Sequence, residues 1–227
     1  MSKVFEDVVK ADEGEVFDIE LEESVLKANR KLADENRKLL NTHGVKAIDV
    51  MGSIGSGKTS LIENLVKLLR KRYRIAVFKG DLTTTIDAEK IKRHGVDVVA
   101  INTGKECHLD ANLVQKAIQR LNLEKIDLLF IENVGNLICP AEFPLGSEKR
   151  VVIVSVTEGP YMVTKHPFIF MDAEVVAINK VDLAAAMDVD PNKLKTDVKK
   201  INPNASVAFT NCRTGEGVDA VVEALGF

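Results

Sequence analysis

Seven short apolar runs punctuate the chain, and none alternates cleanly with polar residues: VKAIDVM (45–51), RIAVFKG (74–80), VDVVAIN (96–102), IDLLFIE (126–132), RVVIVSV (150–156), AEVVAIN (173–179) and ASVAFTN (205–211). Strands rich in Val and Ile without a polar face are buried on both sides, so the pattern predicts an α/β fold with a mostly parallel seven-stranded sheet flanked by helices. Ahead of them, ESVLKANRKLADENRKLLNTHG (23–44) carries apolar residues at 25, 26, 32, 33, 39 and 40 separated by charge. That spacing predicts an N-terminal helix with one narrow apolar face, ended by Gly44 and able to pack on its own domain or on a partner. The expected organisation is an acidic lead-in plus helix over 1–44 and one α/β domain over 45–227. Residues 157–172, TEGPYMVTKHPFIFMD, read as a long loop, and long loops in compact domains are usually functional.

Composition narrows the function. A formal charge of −3, with Lys and Arg scattered among Asp and Glu, provides no basic stripe for nucleic acid and no polybasic membrane anchor. No apolar run approaches the roughly 20 residues of a membrane span. Three cysteines, at 107, 139 and 212, cannot all pair, and the acidic N-terminus has no signal-peptide core. A reducing compartment, the cytoplasm, is expected.

Chemistry enters at GSIGSGKT (52–59), which follows the first strand and opens the helical pattern SLIENLVKLLRKRY (60–73). This is the phosphate-binding pattern G-x-x-x-x-G-K-[ST] in its required strand-loop-helix setting, and it identifies the fold as that of a P-loop NTPase. Backbone N–H groups from Gly52, Ser53, Gly55, Ser56 and Gly57 through to Ser60 can turn around phosphates, with the helix N-terminus adding partial positive charge. Lys58 is placed for the β- and γ-phosphates and Thr59 for Mg²⁺. NKVD (179–182) follows the sixth strand, where ligands of open α/β sheets bind. An Asp182 carboxylate accepts from both guanine donors, which adenine lacks on that edge, so GTP is expected over ATP. Lys180 would lie along the base and Asn179 would brace the loop. TNCRTGEG (210–217) resembles the last base-contacting loop of GTPases, which places Asn211 and Cys212 at the base, Cys212 as a loop residue.

The remaining nucleotide elements deviate from the usual pattern. Glu132 stands where GTPases carry Asp in D-x-x-G, a group able to hold Mg²⁺ through water, with Gly135 as γ-phosphate sensor. Asn136 stands where fast enzymes have a water-orienting Gln, so turnover is expected to be slow. Asp81 is a second candidate Mg²⁺ ligand and Asp87 a weaker one; helix capping is the alternative role for both. Cys107 and His108, adjacent in KECHLDANL, read by themselves either as a packed structural pair or as metal ligands.

GSIGSGKTSLIENL, GDLTTTIDAEKIKRHG, INTGKECHLDANLV, IENVGNLICP, SVTEG with KHP, INKVDL and TNCRTGEG, in that order, resemble the GTPases that deliver nickel during hydrogenase maturation, from about residue 24 to the end. The resemblance implies zinc or nickel bound by Cys107, His108 and Cys139 at a nucleotide-dependent homodimer interface. It also implies the hydrogenase large subunit and a companion nickel-insertion protein as partners. Thiolate and imidazole suit Zn²⁺ and Ni²⁺, and three ligands leave room for water or a second chain. The strands before Cys107 and Cys139 are read as neighbours whose C-terminal ends come together, and an isologous interface would let adjacent residues serve its two halves. The N-terminal cysteine motif of many members, often followed by a histidine-rich tract, does not occur in these residues, so a single metal site is expected. The Cys-Pro-His tripeptide of the related urease-accessory GTPases is also absent. A metal-binding scaffold that uses GTP only as a switch is the reading from another class.

Overall fold

Each of the seven apolar runs contains a strand. The computed structural model describes residues 19–80, 85–104 and 107–227. In chain order the elements are α1 (Ile19–Thr42), β1 (Lys46–Met51), α2 (Lys58–Leu69), β2 (Ile75–Lys79), α3 (Thr85–Lys92), β3 (Asp97–Ala100), α4 (Ala111–Ile118), β4 (Leu128–Glu132), α5 (Cys139–Glu142), β5 (Lys149–Ser155), α6 (Met162–Lys165), α7 (Phe168–Met171), β6 (Val175–Asn179), α8 (Pro191–Ile201), β7 (Ser206–Thr210) and α9 (Val218–Ala224). The strands form one sheet in the order β3-β2-β4-β1-β5-β6-β7. Every pairing is parallel. A parallel pair needs a crossover, and a helix lies between every two strands consecutive in sequence, as in a P-loop NTPase.

The two-residue period of a strand divides neighbours between two layers. Ile48 and Val50 of β1 pack with Leu61, Leu65 and Val221 of α2 and α9. Ala47 faces the layer built on Leu40 and Val114 of α1 and α4. Met51 joins Phe170, Leu194 and Val198 of α7 and α8. Burial on both faces holds for the inner strands but fails at the edges: no residue of β3 is fully buried, and β7 keeps Ser206 exposed. Edge strands are covered by fewer elements, so their apolar runs are not a guide to burial.

Two other expectations need correction. The predicted apolar stripe of α1 is partly on the wrong face, since Val25 and Leu39 are exposed, while Asn29, Ala33, Asn36 and Leu40 are buried. The asparagines are held by hydrogen bonds. Asn29 Oδ1 accepts from Ala111 N at 2.7 Å, its Nδ2 donates to Pro144 O at 2.9 Å, and Asn36 Nδ2 donates to Ala111 O and Leu145 O. The helix thus packs on its own chain, and Gly44 follows it at φ 68°. Residues 157–172 are not an open loop but contain α6 and α7, whose Met162, Val163, Ile169 and Phe170 are buried. Among the described residues no helix is long and apolar enough to cross a membrane.

Candidate nucleotide cleft and metal triad

Residues 52–57 leave β1 and turn directly into α2, whose first residue is Lys58. Gly57 has φ 114°, and a Cβ there would collide with the Asn179 amide, so only glycine serves. That amide is the brace expected of it. Its Nδ2 donates to Ser56 O at 2.8 Å, while its Oδ1 accepts from Cys212 N at 2.9 Å and Thr210 Oγ1 at 3.2 Å. One side chain therefore fastens the phosphate loop to the loop after β7. Lys58 Nζ donates to Gly52 O and Ser53 O, and Ser56 Oγ to Ser53 O.

A cleft of about 630 Å³ opens in front of this loop, with Gly55, Lys58, Thr59 and Ser60 at one end and Lys180, Asp182, Asn211 and Cys212 at the other. Arg93 and Arg213 add to the positive wall, which suits a polyphosphate. Lys180 takes a left-handed backbone and donates to Thr157 Oγ1 at 3.4 Å. Burial pushes the Cys212 thiol up to about 11, with Thr210 opposing only in part, so this sulfur is unreactive and Cys212 serves through its backbone.

At the phosphate end, Thr59 Oγ1 donates to Glu132 Oε1 at 2.6 Å. Glu132 is buried, and among the described residues its Oε2 has no hydrogen-bond partner. A hydroxyl beside a carboxylate with an unused buried oxygen is a donor set that fits a hard cation such as Mg²⁺. Asp81 lies outside the described residues, as does the side chain of Asp87. Lys79, which the sequence reading passed over, also donates to Glu132 Oε1, at 2.9 Å.

Cys107, His108 and Cys139 come together within one chain. Cys107 Sγ lies 3.2 Å from Cys139 Sγ and 3.9 Å from His108 Nδ1. All three possible ligand atoms lie within 4.8 Å of one another. The His108 ring packs on Phe143 with centroids 3.9 Å apart, which holds its plane. Cys107 and His108 sit in a bend just before α4, so neighbouring side chains can point the same way. The expected route was different. The strands β3 and β4 are not neighbours, because β2 lies between them. The chain after β3 instead crosses the end of β2, where Leu109 packs so closely on Gly80 that a Cβ would collide with it. Cys139 is the first residue of the short helix α5. The hydrogen bond from the Cys107 thiol is the main reason that the Cys139 thiol is held above its usual range, with burial adding to it. A cation with affinity for sulfur would reverse that preference and release protons.

Two asparagines connect these sites. Asn133, fully buried, follows Glu132; its Oδ1 accepts from Leu109 N at 3.3 Å and Val134 N at 3.0 Å, and its Nδ2 donates to Asp49 at 3.2 Å. Asn136 Nδ2 donates to Cys107 O at 3.4 Å, its Oδ1 accepts from Ile138 N at 3.0 Å, and its backbone bridges Gly52. The segment from Cys107 to Leu109 is thereby tied at both ends to the loop that follows Glu132. Gly135 in that loop packs against Ile54 of the phosphate loop without space for a Cβ. Neither Asn133 nor its partner Asp49 was singled out from the sequence; a polar residue just past the end of an apolar strand marks Asn133, and a lone carboxylate inside one marks Asp49.

A parallel sheet with this loop, this base-side bracing and this cleft defines a P-loop nucleotide-binding protein. Comparison with known proteins gives the branch. The family model described as "CobW/HypB/UreG, nucleotide-binding domain" matches residues 46–209. A probable hydrogenase maturation factor HypB of Methanocaldococcus jannaschii is 55% identical over 205 residues, covering 90% of this chain and 93% of that protein. The crystal structure of HypB from Archaeoglobus fulgidus superposes with a TM-score of 0.83 at 45% identity, covering 88% of this chain and 97% of the other. HypB from Helicobacter pylori, crystallised in complex with nickel, superposes with a TM-score of 0.81 at 35% identity, over 87% and 93% of the two chains. The chain belongs to the CobW/HypB/UreG family of P-loop GTPases.

Proposed function

We propose that the protein is a slow GTPase that delivers nickel during maturation of [NiFe] hydrogenase, and that two copies meet around Cys107, His108 and Cys139 in the GTP state. The observation that carries this reading is the tie between the three ligands and the nucleotide sensor, made by Asn133 to Leu109 N and by Asn136 to Cys107 O. A sensor shift at Gly135 is thereby passed to the thiols. The maturation role is supported by the names of the relatives and the metal by the nickel complex of one of them.

Asp182 in the cleft wall supports GTP as the nucleotide, because it can accept from both guanine donors. Slow hydrolysis is supported by Asn136, whose amide is engaged with Cys107 O and Ile138 N rather than with the cleft. Thr59 and Glu132 would hold Mg²⁺, which neutralises phosphate charge when bound. Three ligands, two on a bend and one at the start of α5, leave room for water or for the second chain, and the same donors accept Zn²⁺ as well as Ni²⁺. Delivery would take place in the cytoplasm, between a companion nickel-insertion protein and the hydrogenase large subunit.

The test is metal affinity and molecular size, measured with Ni²⁺ and with Zn²⁺, in the presence of a non-hydrolysable GTP analogue and of GDP. Tighter metal binding by the analogue form, by a factor corresponding to about 1–3 kcal/mol and accompanied by dimerisation, is expected. Metal must then tighten the analogue by the same factor. Equal metal affinity in the two forms would remove the release switch and leave a GTPase with an uncoupled metal site.

A further inference from the structure

Strand β2 is apolar and buried up to its last residue, which is Lys79. A lone ammonium in such a position is costly unless its charge is matched. Lys79 is matched by groups that belong to the nucleotide site: its Nζ donates to Glu132 Oε1 at 2.9 Å and to Thr59 Oγ1 at 3.2 Å. Both side chains of the ion pair are almost wholly shielded, at 4% and 3% exposure. The placement follows from the backbone, because Lys79 and Glu132 are register partners in the β2–β4 pair and so point to the same face of the sheet. The lysine is built into the wall of the cleft.

Thr59 and Glu132 are also the two groups that fit Mg²⁺. A carboxylate oxygen that accepts from Lys79 at 2.9 Å and from Thr59 at 2.6 Å has little capacity left. A divalent ion held by the same pair would face the ammonium at close range, where like charges repel strongly in a buried setting. The Thr59 hydroxyl can offer a lone pair to a cation while it donates to Glu132, but one of its two lone pairs already accepts from Lys79 at 3.2 Å.

We infer that Lys79 is an internal cation that competes with Mg²⁺ for Thr59 and Glu132. In the absence of the divalent ion it holds the two groups together and keeps a positive charge facing the phosphates. Mg²⁺ entering at the unused Glu132 Oε2 and at Thr59 must work against this charge or push it aside. Nucleotide binding is therefore less dependent on Mg²⁺ than the two oxygen ligands alone would make it, and the ion enters at higher concentration. This inference rests on the reading of the cleft as a GTP site.

The experiment measures binding of fluorescent GDP and of a non-hydrolysable GTP analogue in excess chelator and across a Mg²⁺ titration. It uses the wild type, Lys79→Met and Lys79→Gln. The methionine keeps the apolar stem without charge, and the glutamine keeps a hydrogen-bond donor for the buried Glu132; thermal melts establish that each variant is folded. Both substitutions are expected to weaken nucleotide binding in chelator about tenfold and to lower the Mg²⁺ midpoint by a similar factor, within the usual range of coupling between two sites. A Mg²⁺ midpoint unchanged in a folded variant, with wild-type nucleotide binding intact, overturns the competition alone. Failure of the wild type to bind either nucleotide overturns the cleft assignment and the inference with it.

Discussion

At the nucleotide cleft the polar groups are buried and cross-braced: Asn179, Glu132 and Lys79 are almost wholly shielded from solvent, and each has hydrogen bonds to a different segment. At the metal triad Cys107 is exposed, and His108 and Cys139 are half-buried. The nucleotide groups are positioned before any ligand arrives, so binding need not order them. The triad has three donors held on a bend and at the start of a four-residue helix. Under the proposed function such a site would be open to a partner protein and would need a further ligand, as suits cargo rather than a resident ion.

Removing one group from each region tests whether the two are separable. Lys58→Ala should abolish binding of GTP in a calorimetric titration while leaving metal affinity of the nucleotide-free monomer intact. Cys139→Ala should do the reverse, losing at least the roughly 10- to 100-fold in metal affinity that even an outer-shell partner costs. Loss of both affinities in either variant would mean that the regions form one site. Next in size, Asp182→Asn should weaken GTP by at least about tenfold and improve XTP, since the amide no longer accepts from both guanine donors but can pair with the xanthine carbonyl. An unchanged preference in a competition assay would remove Asp182 from base recognition.

The connection itself is the target of Asn133→Ala, which frees Leu109 N and Val134 N. Each site should keep its own affinity within a few-fold, while the coupling factor, typically about 5 to 150, should fall towards one. A variant that retains full coupling would show that the tie runs elsewhere. The smallest effect concerns Asp49, below that asparagine. Burial raises its pKa from 3.8 to about 6, with Arg150 and the Asn133 hydrogen bond opposing in part. The folded form thus retains a proton that the unfolded chain releases first, and stability from this group is lost as pH rises from about 4 through 6. Asp49→Asn has no such titration. Its stability relative to wild type should grow across that interval by on the order of 2 kcal/mol and stay level above it. Denaturant melts at pH 4, 6 and 8 would check this, and a difference independent of pH would contradict it.

The features legible in the sequence have local causes. GSIGSGKT directs its own turn from β1 into α2, and Asn179 lies one position before Lys180 in a short motif whose geometry is set by neighbouring residues. The apolar runs located all seven strands, because a buried strand declares itself by composition over five or six positions. The apolar face of α1 was misplaced because Asn29 and Asn36 are buried with partners at Ala111, Pro144 and Leu145, far along the chain. A sequence pattern counts them as polar and turns them outward. The segment 157–172 was taken for a loop because its two helices have only four residues each, too few to show a period.

The sequence by itself determined the chemistry on offer: a phosphate loop, a carboxylate in the NKVD motif, and thiolate and imidazole donors in one chain, all of which depend on residue type and short spacing. Only the tertiary structure decided which of these groups meet. It set β2 between β3 and β4, carried Cys107 across the end of β2 to within 3.2 Å of Cys139, and placed Lys79 beside Glu132. The physical reason is that strand order and register are fixed by how whole faces of the sheet are buried, a sum over distant residues that no single stretch of sequence contains.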